Sequence, residues 1–487
     1  EKGVGGTQDN GALLDYIDNP RADSFCNSES KVRRMANRAE ARVLVAGAGV
    51  SGRAAAAFCL ARDMSVTIAD DTPRESLSAP ITNLEDAGAK FVTPLSMAGT
   101  DFDLCILSPG ISVDDKRVGS LKAAGVEVIS ELELAAREIT SPIVAITGTN
   151  GKTTVTELVG AILKEYGRKV FVGGNLGTPL TEAVGGEFDA IVAEVSSFQL
   201  EGCSTFHPKV AIWLNLTGDH LDRHGDLSGY AEAKARIFAK QSADDVAIVN
   251  RDDDIVWESA RSSKATILPY STERILGVGA WLEGDEVVIL MPGTDGIRLD
   301  ARALEIKGLH NVANAMAATL AAASLGIDPA VAWEAVKKFK ALPHRMEEFL
   351  NWRGITFIDD SKATNVDAAV RAMETVEGGI ILLAGGKDKG ADYAPMREQL
   401  LKRGVLAVIV GPHCDRMARE LEGSAPIKRA DNWPSAVRLG IKAAKSGDTM
   451  LLAPAASSFD FFKNYAERGN VFQALCKEET ERIDVGV

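Results

Sequence analysis

Cysteine is scarce in this chain, six in 487 residues (Cys26, Cys59, Cys105, Cys203, Cys414 and Cys476), and none stands close to another. Such dispersal excludes a zinc site built on paired cysteines and a disulfide scaffold, and it fits a reducing cytoplasmic setting. Long apolar runs are missing as well; none approaches the roughly 20 residues that span a bilayer, so no membrane insertion is expected. Positive charge is in deficit, with 54 Lys and Arg against 68 Asp and Glu and a formal net charge of -14. With no local basic patch to override that field, a phosphate backbone is repelled and a nucleic-acid partner is excluded. Residues 1–40 begin without methionine, are rich in Gly, Asn, Asp and Ser, and lack the apolar centre of a secretory signal. They read as a poorly ordered extension.

What is present is an α/β chain long enough for about three domains at roughly 150 residues each. From Arg42, apolar runs alternate with helical patterns: "RVLVAGAGVSGRAAAAFCLA", "SVTIADD", "DLCILSPGI" and "VEVISELELAARE". This alternation predicts a parallel sheet with crossover helices, a Rossmann-like domain over 41–140. Gly47, Gly49 and Gly52 form G-x-G-x-x-G between strand and helix, and Asp70 ends the next strand. The pattern suits any diphosphate at a helix N-terminus, so it leaves a nicotinamide dinucleotide and a UDP-sugar both open.

The second block, expected over 141–341, opens with "VAITGTNGKTTVTELVGAIL", residues 144–163. An apolar strand, a turn with Gly148 and Gly151, then Lys152, Thr153 and Thr154 opening a helix make a phosphate cradle of the P-loop type. The first glycine of G-x-x-x-x-G-K-[ST] would fall on Ile146, so the loop is a shortened variant. Downstream, Glu194 in "AEVSSFQLE" and His220 in "LNLTGDHLDRH" are placed at strand ends, where they could share Mg2+ with nucleotide phosphates. Taken singly, Glu194 reads as a surface carboxylate and His220 as a structural histidine. Lys234 in "GYAEAKARIF" reads as a solvated helix lysine, since an ammonium and a divalent cation repel. Residues 280–306 predict short antiparallel strands inserted at one edge.

A third alternation, expected over 342–487, runs through "ITFIDDSKATN", "GIILLAGGKDKG", "LAVIVGP" and "TMLLAPAASSFDFF". Each strand ends in a polar or glycine-rich turn, and in an open parallel sheet those turns line the ligand cleft.

Taken in order, "GTNGKTT", "EVSSFQLE", "LNLTGDHLDRH" with "YAEAK", "GLHNVANA", "LPHRME", "DDSKATN" and "SFDFFKNYAERG" resemble the Mur ligase family from about residue 42 to the end. The "DDSKATN" and "GGKDKGAD" segments point to its D-glutamate-adding branch. The resemblance implies three domains and an ATP-dependent amide-bond ligase of cytoplasmic peptidoglycan precursor synthesis, acting as a monomer. UDP-N-acetylmuramoyl-L-alanine would be activated as an acyl phosphate and attacked by D-glutamate.

Residue by residue, the resemblance implies ATP binding by Gly148, Thr149, Asn150, Gly151, Lys152, Thr153 and Thr154. Asn311 and Asn314 would lie on the adenine side, and Arg345 and Asp360 would close from the third domain. Thr153 and Glu194 would hold one Mg2+ and His220 a second. Lys234 matches a lysine that carries a carbamate, an anionic metal ligand in place of a repelling cation. Lys362 joins Lys152, His220 and Lys234 as a catalytic candidate. The first glycine loop becomes the UDP site, with Gly49, Val50, Ser51, Asp70, Asp71, Ser108, Pro109 and Gly110, and Asn175 would hold the muramoyl part. For D-glutamate, Thr364 and Lys389 would take the α-carboxylate, and Ser458, Phe459 and Tyr465 the side-chain carboxylate. Position 465 is tyrosine where the family pattern has phenylalanine.

Other functions compete with this one. A nicotinamide-dependent oxidoreductase accounts for the first glycine loop and leaves the phosphate loop unexplained. A regulatory P-loop NTPase accounts for the phosphate loop and leaves the ligand-like turns of the third block idle. Another Mur ligase, or a ligase like folylpolyglutamate synthase, would share the ATP machinery and differ in its amino acid.

Overall fold

The computed structural model describes residues 41–77, 79–93, 101–175, 177–387, 391–411 and 415–486. The expected extension 1–40 and the D-glutamate candidate Lys389 lie outside them. The architecture is α/β with three sheets.

The first sheet is all parallel: β1 (Arg42–Ala46), β2 (Ser65–Ala69), β3 (Lys90–Val92), β4 (Leu104–Leu107) and β5 (Glu127–Ser130), in the order β3-β2-β1-β4-β5. Runs such as "RVLVA" and "LCIL" lack alternation because helices cover both faces of the sheet. The alanine-rich helix Val50–Leu60 buries Ala55, Ala56, Phe58 and Cys59. The strand order reverses between β1 and β4, which opens a crevice at the carboxyl ends of the strands.

The second sheet holds β6 (Ile143–Thr147), β7 (Val170–Gly174), β8 (Ala190–Glu194), β9 (Val210–Trp213), β10 (Val246–Asn250), β11 (Thr266–Ser271), β12 (Gly279–Glu283), β13 (Glu286–Leu290) and β14 (Ile297–Asp300). Its order is β14-β13-β12-β11-β10-β9-β6-β8-β7. Strands β6 to β12 are parallel, and β13 and β14 continue the edge as antiparallel strands, as the alternating sequence predicted. The phosphate-loop strand β6 is interior, with β9 and β8 as its neighbours.

The third sheet holds β15 (Glu347–Trp352), β16 (Ile355–Asp359), β17 (Ile380–Ala384), β18 (Gly404–Val410), β19 (Ile427–Ala430) and β20 (Thr449–Leu452), in the order β15-β16-β20-β17-β18-β19. The four apolar runs of the sequence are β16, β17, β18 and β20. Two edge strands escaped that reading because they carry charge, as edges do. Antiparallel β15 returns into β16 through Arg353-Gly354, both left-handed at φ 51° and 78°, a two-residue hairpin turn.

The chain forms two compact units. One runs up to Asn215 and takes in Ser228–Arg302 and Asn314–Val336; the other comprises Leu216–Leu227, Ala303–Ala313 and Lys337–Val487. Among the described residues no helix is long and apolar enough to cross a membrane.

Candidate active site

In the first unit, β6 ends at Thr147 and the helix Lys152–Glu165 begins five residues later. Gly148 (φ 153°) and Gly151 (φ 85°) adopt backbone that side chains disfavour. A Cβ on Gly151 would sit 2.7 Å from Asn314 Oδ1, so the loop and the helix Leu309–Ser324 meet without slack. Asn215 organises the loop. Its Oδ1 accepts the N–H groups of Asn150 (2.8 Å) and Thr149 (3.1 Å), and its Nδ2 donates to Asn150 O (3.0 Å). Lys152 Nζ folds back onto the carbonyls of Gly148 and Thr149, both at 2.8 Å.

Thr153 Oγ1 donates to Glu194 Oε2 at 2.7 Å, and Asn175 Nδ2 donates to Glu194 Oε1 at 2.9 Å. Glu194, the last residue of β8, is therefore a buried carboxylate and not a surface one. A hydroxyl and a carboxylate oxygen side by side at the start of the phosphate-loop helix are the hard oxygen donors that Mg2+ takes. Lys234 also departs from the reading as a solvated helix residue. It is 1% exposed, its Nζ donates to Gly148 O at 2.9 Å, and it lies 4.5 Å from the Tyr230 ring centroid. The carbonyl of Gly148 thus faces two ammonium groups, those of Lys152 and Lys234.

The first sheet carries a second cleft in the same unit, of about 340 Å³, at the carboxyl ends of β1, β2 and β4. Gly49, Val50, Ser51, Asp70, Asp71, Ser108, Pro109 and Gly110 all line it, together with Gly47 and Ile111. Asp70 is committed to the loop: Oδ2 accepts Ala48 N at 2.6 Å and Oδ1 accepts Thr72 N at 2.7 Å. Burial pushes its carboxyl up, but those donors outweigh it and leave the group below the usual carboxylate range. Asp71 pairs with Arg117 at 3.2 Å. A Cβ on Gly52 would lie 1.9 Å from Gly47 O, so the third glycine of the pattern is needed for helix and strand to meet.

The second unit holds the remaining candidates. His220 does not end a strand; β9 stops at Trp213, and His220 caps the short helix Leu221–His224 in a left-handed conformation (φ 56°). Its Nε2 lies 3.6 Å from Asp219 Oδ2. Asn311 donates from Nδ2 to Lys307 O at 2.8 Å. Arg345 and Asp360 are brought together. Burial raises the Asp360 carboxyl to about 7, against the pull of the Arg345 charge. Lys362 Nζ lies 4.1 Å from the Tyr465 ring centroid, so the tyrosine at this position stacks on a catalytic candidate. Thr364 donates from N to Lys362 O at 2.7 Å, Ser458 is buried, and Phe459 is 71% exposed.

The family description "Mur ligase middle domain" matches residues 146–322, "Mur ligase, glutamate ligase domain" matches 344–456, and "Mur ligase MurD-like, N-terminal domain" matches 41–130. A protein of Syntrophotalea carbinolica named UDP-N-acetylmuramoylalanine--D-glutamate ligase is 43% identical over 443 residues, covering 90% of this chain and 98% of its own. The chain belongs to the Mur ligase family. A relative of the same name from Geotalea daltonii is 41% identical, over 90% of this chain and 97% of its own. Among solved structures, a pseudomurein peptide ligase type C from Methanothermus fervidus shares the fold, with a TM-score of 0.59 at 18% identity over 90% of this chain and all of that one.

Three residues of this Mur ligase escaped the sequence reading although they stand in the motifs that carried it. Asn215 belongs to "LNLTGDH", where the histidine drew attention. His344 in "LPHRME" is left-handed at φ 61° and bonds Asp359 Oδ2 through Nδ1 at 2.7 Å, and a Cβ on Gly469 would strike it. Arg468 in "YAERG" is 1% exposed; it donates to Ser361 Oγ (3.0 Å), Ser361 O (2.8 Å) and Ala456 O (3.1 Å), tying the loops after β16 and β20. Asn215 and Arg468 act on backbone, and His344 on a carboxylate, that stand apart from them in sequence, which no local pattern displays. His344, Glu347 and Asp359 also form a group compact enough for a metal, but Ser361 N and Gln473 Nε2 already donate to Asp359.

Proposed function

We infer that this Mur ligase joins D-glutamate to UDP-N-acetylmuramoyl-L-alanine at the expense of ATP, as a cytoplasmic monomer in peptidoglycan precursor synthesis. The observation that carries the reading is 38–43% identity, over about nine-tenths of the chain, to relatives bearing that enzyme's name. The buried thiols of Cys59 and Cys105, pushed up to about 12 by burial, suit a compartment without disulfides. The domain limits we adopt are 41–140, 141–341 and 342–487, because each range holds one complete sheet.

The chemistry follows from the side chains. The loop Gly148–Thr154 cradles the ATP phosphates, and the Lys152 ammonium offsets the charge that develops on the transferring phosphoryl group. That group passes to the substrate carboxylate, and the acyl phosphate then loses phosphate as the D-glutamate amine bonds its carbonyl carbon. Thr153 and Glu194 would supply oxygen donors for one Mg2+, which would neutralise phosphate charge, and His220 and Lys234 would serve a second. Lys234 acts there as a carbamate: its ammonium gives up one proton, and the neutral amine bonds the carbon of CO2 and gives up a second, which converts a cation into an anion. The two ammonium groups on Gly148 O support this assignment, because carbamylation removes their repulsion. Asn311, Asn314, Arg345 and Asp360 hold the nucleoside side of ATP. The cleft at Gly47–Gly52 takes the UDP moiety, and Asn175 the muramoyl part. Thr364, Lys389, Ser458, Phe459 and Tyr465 receive D-glutamate beside Lys362.

Phosphate release from ATP and UDP-N-acetylmuramoyl-L-alanine, measured with D-glutamate, L-glutamate, L-alanine and diaminopimelate in turn, tests the reading. Release with D-glutamate alone supports it, and release with another amino acid instead would assign the chain to a different branch of the family.

A further inference from the structure

The helix Glu131–Ala136, which follows β5, buries two acidic side chains: Glu131 is 2% exposed and Glu133 0%. Two positions apart on a helix, they leave it about 200° from one another, on nearly opposite sides. Glu133 is fully occupied. It accepts from the backbone N–H groups of Ser204, Thr205 and Phe206, from both hydroxyls, and from Arg137 Nε at 3.0 Å. Glu131 is not. It accepts Thr181 N at 2.7 Å, and the Thr181 hydroxyl and the Leu180 N–H lie near enough to favour its charge, but no well-formed hydrogen bond reaches its buried Oε2 or that hydroxyl among the described residues. A buried polar group left incompletely paired costs stability, so the bond it does make calls for a use.

That bond fixes the turn Leu180–Ala183, against which the helix packs. Directly upstream lies the loop that bears Asn175. Gly174 N donates to Thr178 O and Asn175 N to Glu194 O, both at 2.8 Å, and a Cβ on Gly174 would fall 2.4 Å from Glu194 O. The loop is therefore clamped against the end of β8 on one side and hung from Glu131 on the other. We propose that Glu131 is a positioning residue for the UDP-sugar substrate, anchoring through Thr181 the loop that presents Asn175. The proposal rests on the reading of Asn175 as the muramoyl contact. It makes the grip of the second sheet on the sugar depend on a side chain delivered by the first. Burial raises the Glu131 carboxyl above the usual range. A neutral carboxyl keeps the acceptor oxygen that Thr181 needs, so glutamine can replace it.

Calorimetric titration of full-length variants with UDP-N-acetylmuramoyl-L-alanine, and separately with UDP, provides the test. Glu131→Ala weakens the whole substrate about tenfold, the scale of one buried hydrogen bond, and leaves UDP binding as in the native protein. Glu131→Gln binds the whole substrate within about threefold of native, because its amide oxygen still accepts the Thr181 N–H. In the pair Glu131→Ala with Asn175→Ala, the double variant binds no more weakly than Asn175→Ala alone, because Glu131 acts through that residue. Equal losses for UDP and whole substrate, native affinity in Glu131→Ala, or additive losses in the double variant would each overturn the role of Glu131. Native substrate affinity in Asn175→Ala would instead overturn the reading of Asn175. Should Glu131→Ala fail to fold, Glu131→Asp, with a shorter reach to Thr181, takes its place in every comparison.

Discussion

Asn215→Ala isolates what preorganisation of the phosphate loop contributes. The backbone at 214–215 is held independently, by Trp213 Nε1 donating to Asn215 O (3.2 Å) and Tyr270 Oη donating to Leu214 O (3.0 Å), so truncation removes the amide without moving the chain. Three bonds disappear, but Thr149 N keeps the Asn215 backbone oxygen at 3.0 Å. The loss therefore falls on Asn150, whose N–H and carbonyl bond the side chain at 2.8 and 3.0 Å. These groups are part-buried, so water replaces some of each bond. At about 1 kcal/mol per bond the ordered loop loses about 2 kcal/mol, and ATP affinity falls about 30-fold. Calorimetric titration with Mg-ATP reads the change, and unaltered affinity for UDP-N-acetylmuramoyl-L-alanine in the same preparation shows that the fold has survived. An Asn215→Ala protein that binds ATP within about threefold of native would refute the argument, because the loop would then hold its shape without the side chain.

Other perturbations follow from the same geometry. Asp360 is raised by burial from 3.8 to about 7. If its ionised form serves ATP, kcat/KM for ATP falls with decreasing pH through about 7, and Arg345→Gln, which removes the stabilising charge, moves that limb to higher pH. The folded state keeps a proton that the unfolded chain releases, so between pH 3.8 and about 7 this group lowers stability as pH rises; thermal melts of Asp360→Asn should lose that slope. Gly151→Ala forces a side chain into left-handed backbone, at about 1 to 2 kcal/mol, and towards Asn314 Oδ1. Turnover at limiting ATP should fall by about tenfold or more, and native kinetics would contradict the close fit of loop and helix. Lys234→Ala should be nearly inactive and partly restored by acetate, a carboxylate able to occupy the vacated space; native turnover in CO2-depleted buffer would remove the carbamate from the mechanism.

The sequence by itself determined what depends on local order along the chain. Apolar runs without alternation mark strands buried on both faces, and a glycine turn before a helix marks an anion cradle, so the three sheets and both glycine loops were legible from residue order alone. The strands β3, β7, β11, β15 and β19 were not singled out; of these β3, β15 and β19 are edges that carry charge and lack the apolar signature of a central strand.

Tertiary structure decided which groups are buried and what they hold. Lys234 and Glu194 have the same donor and acceptor atoms in any conformation. Only the packing of the helix Leu227–Ala235 and the strand β8 takes them out of water and sets them on Gly148 O and Thr153 Oγ1. Asn215, Arg468 and Glu131 work by bonding backbone 65, 107 and 50 residues away in sequence. Hydrogen bonds of that span are products of topology. A side chain's type tells what it can donate or accept, and the fold alone brings it a partner.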